Sequence, residues 1–449
     1  MLVGTYEWDV TPPLGVNIPG YFEVRPAAGV RDRLYARALA CSDERGDAFI
    51  LFSIDACECS PFCLARARQR IEEMLGIPGE RVMMSVTHTH TGGPIDDIVP
   101  GSIDMDYIYW LGERAADAAV MAWNSRRPAR IGFGRGHEDS IAFIRRYFMK
   151  DGTLKTNPGF CPDQIDRPAG EIDPEVGVVK IEDADGRLMA VITNYGCHPD
   201  TVSGNRFCAD YPGELSRVLK AVYGQQVVSF FLNGACGNIN HVDFMHRTAE
   251  YYAKAYPPHY VRMGRILAGT VIRTLADIET KEVCSLSVES ESFPAVIRTP
   301  DEKDIREAKE LLEREPYEIC YRTEEGSTGN RKNLQARSCA RSLLEVAELK
   351  ERNVSVPVQT ARIGEIAIVG CPCELFVEFG KDIKRRSPFE HTLISTLTNA
   401  HFGYIADREA FALGGYETRI TAVTMMAPET GYDLADTAVR LLEKMRPAD

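Results

Sequence analysis

The chain alternates short, continuous apolar runs with longer segments in which apolar residues recur at helical spacing. Segments 48–55 and 81–86 have the pattern of buried strands, and the amphipathic segment 61–75 between them ends at Gly76. Further strands are predicted near 129–134, 175–182, 188–195, 227–232, 357–363 and 365–370. Helices are predicted at 61–75, 105–124, 211–223, 260–277, 301–314, 334–352, 374–385 and 429–446. This alternation predicts an α/β fold of mixed β-sheets flanked by helices.

The segment 315–335 interrupts the alternation, because its run from Glu324 to Asn330 is polar and rich in glycine and serine. It predicts an exposed loop, which is a candidate boundary between two domains. Candidate site residues occur on both sides of it. We therefore expect an excursion from one large catalytic domain that spans residues 1–449.

Composition narrows the classes of partner. The 449 residues are 44% hydrophobic and carry a formal net charge of -13, which disfavours nucleic-acid binding because phosphate contacts need basic patches. The sequence has no uninterrupted apolar segment of about 20 residues and no signal-peptide pattern at its start. Most of the thirteen cysteines lie in apolar runs, as buried reduced thiols do. These features predict a cytoplasmic protein without a membrane span, with a small-molecule substrate, and they allow a homo-oligomer.

The most informative motif is His88-Thr89-His90, which follows the predicted strand 81–86 and precedes Gly92-Gly93. Side chains two positions apart on a strand point to the same face, so the two imidazoles leave the strand end together. That arrangement suits a metal ligand beside a second catalytic group. Two histidines that merely form hydrogen bonds at a strand end explain the motif equally well.

Polar residues gather at four further places, most of which also follow predicted strands. His198 stands before Pro199, the run 233–241 is rich in small residues and asparagine, and Glu374 lies between a strand and a predicted helix. The fourth place holds Gly403-Tyr404 and the later Tyr416. Two or three histidines with one glutamate form a catalytic zinc set that leaves a position for water. Taken singly, His198 suits a structural role and Glu374 a helix N-terminus, so the pattern leaves the choice of ligands open.

In order and spacing, these motifs resemble the catalytic domain of the neutral, or neutral/alkaline non-lysosomal, ceramidases, which are zinc-dependent amidases. The matching segments are Asp9-Val10-Thr11-Pro12-Pro13, Thr87-His88-Thr89-His90 with Gly92-Gly93, the histidine before Pro199, Pro372 with Glu374 and Gly380, and Gly403-Tyr404 with Tyr416-Glu417. The resemblance covers nearly the whole chain.

The resemblance implies a role for individual residues. The implied Zn²⁺ ligands are His88, His198, Glu374 and Tyr404. The implied helpers are His90 and Tyr416, which would stabilise an oxyanion, and Arg145, which would orient the substrate. Because Ile144 matches the family poorly, Arg145 and Arg146 compete for this role, and a solvated surface pair is the alternative for both.

Two features depart from the family. The Gly-Asp-x-Ser-Pro motif, which carries a serine often treated as the nucleophile, aligns with Gly237-Asn238-Ile239-Asn240-His241. Asn240 replaces the serine, so we expect water rather than serine to attack, with Asn240 bonded to the substrate carbonyl or to that water. The family's C-terminal immunoglobulin-like domain is also expected to be absent. Both the absent domain and the absent signal predict a substrate more polar than ceramide.

The sequence therefore predicts an enzyme, a zinc-dependent hydrolase that cleaves an amide (N-acyl) bond with metal-activated water. Three alternatives remain open at this point. The same metal site would also suit ester or lactone hydrolysis or β-elimination on a uronate, and a retained scaffold would suit a non-catalytic ligand-binding protein. An unrelated zinc amidohydrolase also begins with His-x-His at a strand end, but it needs a later histidine pair and a metal-binding aspartate.

Overall fold

A computed structural model describes residues 1–95 and 98–446. Asp96, Asp97 and the last three residues of the predicted domain 1–449 lie outside the described residues. The described residues form α-helices, numbered α1–α10 in chain order: Pro61–Leu75, Met105–Asn124, Asp210–Tyr223, Ala249–Ala253, His259–Asp277, Glu302–Arg314, Leu334–Glu348, Val377–Arg386, Arg408–Leu413 and Thr430–Lys444.

The strands are likewise numbered β1–β24 in chain order. They are Leu2–Asp9, Gly29–Val30, Tyr35–Ser42, Ala48–Ile54, Val82–Val86, Arg127–His137, Phe143–Ile144, Arg146–Met149, Leu154–Thr156, Ile165–Pro168, Glu175–Asp183, Leu188–Tyr195, Arg206–Phe207, Val228–Asn233, Ile239–Asn240, Lys281–Glu282, Leu286–Val296, Tyr321–Thr323, Gly326–Thr328, Asn353–Ile363, Ile366–Gly370, Glu374–Leu375, His391–Ser395 and Tyr404–Ile405. The main sheet has the order β14-β12-β11-β6-β1-β3-β4-β5, with β16 beside β6. A second sheet has the order β17-β20-β21-β23.

The two sheets pack face to face between two layers of helices. Strand β3 shows why, because alternate side chains of a strand point to opposite faces. Ala36, Ala38 and Ala40 lie in the core with α1 and α2, whereas Leu39 and Cys41 lie in the core that joins the two sheets. Helices α3 and α5 cover the other end of the main sheet, and α8 and α10 cover the second sheet. The chain thus forms a four-layered α/β fold, and the predicted fold class is confirmed.

The main sheet curls so far that β14 at one end approaches β4, the strand next to the other end. Ser53 on β4 donates from Oγ to the carbonyl of Phe231 on β14 at 2.8 Å. The second sheet joins the same place, where Met84 donates its amide to Asn399 Oδ1 at 2.9 Å and Ser85 Oγ lies 2.7 Å from Ser395 Oγ. Loops that follow β5, β12, β14 and β21 therefore meet in one region.

Local signals explain α1, which carries the chain from β4 to the parallel neighbour β5. Ser60 caps its N-terminus by accepting from the Cys63 amide, Pro61 occupies the first turn, and Gly76 ends it in the left-handed conformation. In contrast, the helix predicted to start at residue 374 begins at Val377. Glu374 lies instead in the short strand β22, which pairs with β24.

The excursion near 315–335 contains the hairpin β18–β19, and it does not project freely into solvent. Val24 donates its amide to Cys320 and accepts from the Arg322 amide, both at 2.9 Å, so the hairpin packs against the N-terminal segment. Among the helices that the structure describes, none is both long enough and apolar enough to cross a membrane.

Candidate metal centre

His88 lies two residues beyond β5 and turns sharply into the interior. Its φ of 70° is in the left-handed region, which a residue other than glycine rarely adopts without a local constraint. The constraint is visible, because the amide bonds to the Ala56 carbonyl at 2.9 Å and Nδ1 lies 2.6 Å from the Cys57 carbonyl. A carbonyl only accepts, so Nδ1 donates and Nε2 is the ring nitrogen left to face a metal ion.

His198 is oriented in the same way from the opposite edge of the main sheet. Its Nδ1 lies 2.9 Å from the Cys236 carbonyl, which again leaves Nε2 as the acceptor. Burial and the nearby Arg145 guanidinium lower the pKa of His198 to about 4. The imidazole is therefore neutral at pH 7, which is the form that binds a metal ion.

Glu374 completes the group from the second half of the chain. Its amide donates to the Gly403 carbonyl at 2.9 Å, and its Oε2 lies 2.9 Å from His198 Nε2 and 3.3 Å from His88 Nε2. This buried oxygen has no hydrogen-bond donor in the described structure. Burial raises the pKa of Glu374, but the surrounding imidazoles outweigh this effect and hold the pKa well below its usual range.

These three side chains fit a divalent metal ion. Two lone pairs and an ionised oxygen converge with all ligand atoms within 4.8 Å of one another, and all three residues are buried. Such acceptors repel one another unless a cation lies among them. Tyr404 is the next oxygen, with its hydroxyl 3.4 Å from His198 Nε2. The chemistry of this donor set, two nitrogens with oxygen, is that of a catalytic zinc site.

A second candidate group contains Cys57, His88 and His90. It competes with the first for the same imidazole, because His88 has one lone pair and its Nδ1 is bonded to the Cys57 carbonyl. A metal ion in the first group would also give Glu374 Oε2 the partner that this buried oxygen lacks. His88, His198 and Glu374 are therefore the better candidate metal position of the two.

His90 lies beside this group and not within it. Its Nδ1 lies 3.1 Å from the Gly20 carbonyl, and its Nε2 lies 3.3 Å from His88 Nε2. Burial lowers the pKa of His90 well below its ordinary value, and the proximity of His88 and His198 lowers it further. Its Nε2 is therefore a proton acceptor aimed at the centre, held by a backbone contact from the N-terminal segment.

The structure distinguishes Arg145 from Arg146. Arg145 Nη1 lies 3.4 Å from His198 Nε2, and its Nη2 is buried with no hydrogen-bond partner in the described residues. Arg146 points away and bonds to Glu417 at 2.7 Å and to the carbonyl of Gly414 at 2.7 Å. Glu417 holds both arginines, since its other oxygen accepts from Arg145 Nε at 2.8 Å. Arg145 faces the site and Arg146 supports it, and neither forms a solvated surface pair, since both are buried.

The remaining predicted residues lie at different distances from the centre. The ring of Tyr416 packs edge-on against that of Tyr404, with centroids 5.6 Å apart, and burial raises the pKa of its hydroxyl. Asn240 makes its side-chain hydrogen bonds elsewhere, because it donates to Asn157 at 2.6 Å and accepts from the Val242 amide at 2.9 Å. Tyr416 therefore adjoins the site, while Asn240 has its hydrogen bonds in the loop beside it.

Two residues near the centre received no role from the sequence. His401 Nε2 lies 3.4 Å from Glu374 Oε1, and its Nδ1 lies 2.9 Å from Glu58 Oε2. Burial lowers the pKa of His401, but the two carboxylates outweigh it and raise the pKa to about 10. The sequence did contain a signal for Glu58. This residue follows the predicted strand 48–55, just as the other site residues follow their predicted strands.

Comparisons with known proteins identify the relatives of this arrangement. No family model matches the chain. It is 26% identical over 211 residues to neutral ceramidase A of Dictyostelium discoideum, which covers 44% of the chain and 28% of that protein. It is 30% identical over 200 residues to neutral ceramidase 2 of Arabidopsis thaliana, which covers 41% of the chain and 25% of that protein. The matches thus span about a quarter of the length of these curated relatives.

The fold agrees over the whole chain. A neutral ceramidase from Pseudomonas aeruginosa superposes with a TM-score of 0.75 at 18% identity, covering 100% of this chain and 75% of that one. A ceramidase complexed with C2 gives a TM-score of 0.72 at 15% identity, covering 100% and 76%. The resemblance to the neutral ceramidases that the motifs indicated is confirmed.

Proposed function

We propose that this chain is a zinc-dependent hydrolase that cleaves an amide (N-acyl) bond. The observation that carries the proposal is the convergence of His88 Nε2, His198 Nε2 and Glu374 Oε2, three buried acceptors with no donor among them. Both curated relatives are named neutral ceramidases, and ceramide is an N-acyl compound. This supports an amide as the bond that is cleaved.

The residues around the metal position have distinct tasks. When bound, Zn²⁺ would lower the pKa of a water molecule and polarise the substrate carbonyl. His90 Nε2 accepts a proton from the attacking water, because its Nδ1 is bonded to the Gly20 carbonyl and cannot accept. The same nitrogen then returns the proton to the leaving amine.

Charge that develops on the carbonyl oxygen meets fixed donors. Arg145 Nη2 has no other partner in the described residues, and the ring of Tyr416 packs against that of Tyr404. Donors that are already oriented and buried stabilise such an oxyanion without reorganisation. Asn240 takes no part in a covalent step, because a carboxamide is not a nucleophile of this type.

The substrate we propose is smaller and more polar than ceramide. A cavity of about 70 Å³ borders Tyr416 and lies between Phe22, near the loop that bonds His90, and Val423, whose carbonyl accepts from the Tyr404 amide. A cavity of about 150 Å³ holds benzene, so one of this size holds about three heavy atoms. Its lining combines Ser338, Ser342, Thr421 and Tyr416 with the apolar residues Phe22, Ile98 and Val423. We therefore expect a short N-acyl group.

A cytoplasmic location is also part of the proposal. No disulfide joins any of the thirteen cysteines, all of which lie among the described residues, and most of them are buried. Reduced buried thiols are usual in a reducing compartment.

The test compares zinc content with turnover on a series of N-acyl compounds that differ in acyl length. We expect about one zinc per chain in the wild type, its loss in His88→Ala and in His198→Ala, and faster cleavage of short acyl groups. His137→Ala, an exposed histidine, serves as the control. Full zinc occupancy in both ligand variants, or long-chain ceramide cleaved as fast as any short compound, would contradict the proposal.

A further inference from the structure

Glu374 has two carboxylate oxygens, and they meet different partners. Oε2 faces the imidazoles of His88 and His198, whereas Oε1 faces away from the metal position and lies 3.4 Å from His401 Nε2. The opposite ring nitrogen of His401 lies 2.9 Å from Glu58 Oε2. Glu58, His401 and Glu374 therefore form a chain of carboxylate, imidazole and carboxylate. This chain ends on Glu374, whose other oxygen faces the metal position.

This chain is well shielded from water. The side chains of Glu374, His401 and Glu58 are 5%, 10% and 16% exposed. An imidazole placed between two carboxylates faces an acceptor at each ring nitrogen, because an ionised carboxylate accepts hydrogen bonds and does not donate them. Charge-assisted hydrogen bonds of this kind are stronger than neutral ones and fix the orientation of the groups they join.

The segment that supplies Glu58 also orients a second ligand. Cys57, its chain neighbour, accepts from His88 Nδ1 at 2.6 Å. The short segment after β4 thus holds His88 directly through a carbonyl and holds Glu374 indirectly through His401. One loop therefore fixes two ligands that are 286 positions apart in the chain.

We propose that Glu58 and His401 are positioning residues that hold Glu374 with one oxygen directed at the metal, and so set the affinity of the centre for zinc. This inference rests on the proposed metal site. Groups that orient metal ligands in this way typically change metal affinity by about 10- to 100-fold when they are removed.

The test measures the zinc dissociation constant of chelator-stripped protein by competition with a chromophoric chelator, without any assay of activity. We expect His401→Ala to weaken zinc binding by about 10- to 100-fold. His401→Gln keeps an N–H donor and should recover part of the affinity. His137→Ala and Glu73→Gln, both on the surface, serve as matched controls.

A double-mutant cycle distinguishes positioning from general packing. Glu58→Gln should weaken zinc binding in the wild type but should have no further effect in the His401→Ala background, because Glu58 acts only through His401. Cobalt-substituted protein should show an altered visible spectrum in His401→Ala and an unchanged one in His137→Ala. Both single variants fold more reliably than a change at Glu374 itself, and thermal unfolding checks this.

The outcomes separate this inference from the proposed function. Dissociation constants within about twofold of the wild type in both single variants, or equal effects of Glu58→Gln in both backgrounds, would overturn the inference alone. A wild type that binds zinc tightly but cleaves no amide would overturn the function while leaving the inference intact. A wild type that binds no zinc would overturn both.

Discussion

The division of labour between Arg145 and Arg146 gives the sharpest prediction about the site. The two neighbours share Glu417, yet only Arg145 approaches the metal position, with Nη1 3.4 Å from His198 Nε2. Replacing each by methionine removes the charge and keeps most of the side-chain volume. The two variants should therefore fail in different ways.

The magnitudes follow from the contacts that each change removes. Arg145→Met removes an oriented donor to the oxyanion, which typically costs about 10²- to 10³-fold in kcat. It also breaks a buried bond to Glu417, but its cost in stability should be smaller than that of Arg146→Met, because Glu417 keeps its bonds to Arg146 and to Thr156 at 2.7 Å and no backbone carbonyl loses a donor. Arg146→Met removes bonds to Glu417 and Gly414 together, and breaking a buried ion pair costs about 3–5 kcal/mol.

The assay pairs kcat, measured on the best N-acyl substrate, with the free energy of unfolding from denaturant titration. Arg135→Met, whose side chain is 41% exposed, is the control for loss of an arginine elsewhere. Arg145→Met should show the larger fall in kcat, and Arg146→Met should show the larger fall in the free energy of unfolding. If Arg146→Met alone abolished turnover while the protein remained fully stable, the assignment of Arg145 to the site would be wrong.

Three further predictions concern the tyrosines, the nucleophile and acid–base behaviour. Tyr404→Phe should lower zinc occupancy, whereas Tyr416→Phe should keep zinc and lose about a hundredfold in rate, near 3 kcal/mol. Zinc per chain and kcat are measured together on each variant. Near-normal values of both quantities in both variants would refute the two roles. Turnover should leave no covalent adduct on any serine, because Asn240 occupies the family's serine position; a trapped acyl-serine in the mass spectrum would refute this. Burial raises the pKa of Asp210 to about 6 from an ordinary 3.8. Between these two pH values the folded chain keeps a proton on Asp210 that the unfolded chain has lost. The free energy of unfolding should therefore fall by at most about 3 kcal/mol as the pH rises from 4 to 6. Asp210→Asn should remove this slope in denaturant titrations, and an unchanged slope would show that other groups cause it.

Some of this protein is determined by local sequence. The helix predicted at 105–124 is found at Met105–Asn124, and the one predicted at 211–223 is found at Asp210–Tyr223. Both have a clear apolar face, and their periodicity depends only on neighbouring residues. Strand β1, in contrast, was not predicted, because its sequence mixes glycine, threonine, tyrosine, glutamate and tryptophan. Its place in the middle of the main sheet comes from its pairing with β3 and β6.

The same division holds within the candidate site. Short motifs and their resemblance to known ceramidases were enough to single out His88, His198 and Glu374 as candidate ligands, since each follows a recognisable strand end. Motifs did not reveal whether Arg145 or Arg146 faces the centre. The two residues are adjacent and of the same type, so only the direction in which the backbone points each side chain distinguishes them. Nor did motifs reveal the contact between Glu58 and His401.

Tertiary structure decided those features because they depend on distance through space. The curled main sheet brings β14 to β4, and the second sheet brings Asn399 to Met84, so that loops more than 300 residues apart in the chain share one interior. Sequence fixes which side chains stand at the strand ends. Which of those strand ends meet depends on the curvature and packing of the two sheets. Curvature and packing follow from the summed contacts of the whole core and not from any local pattern.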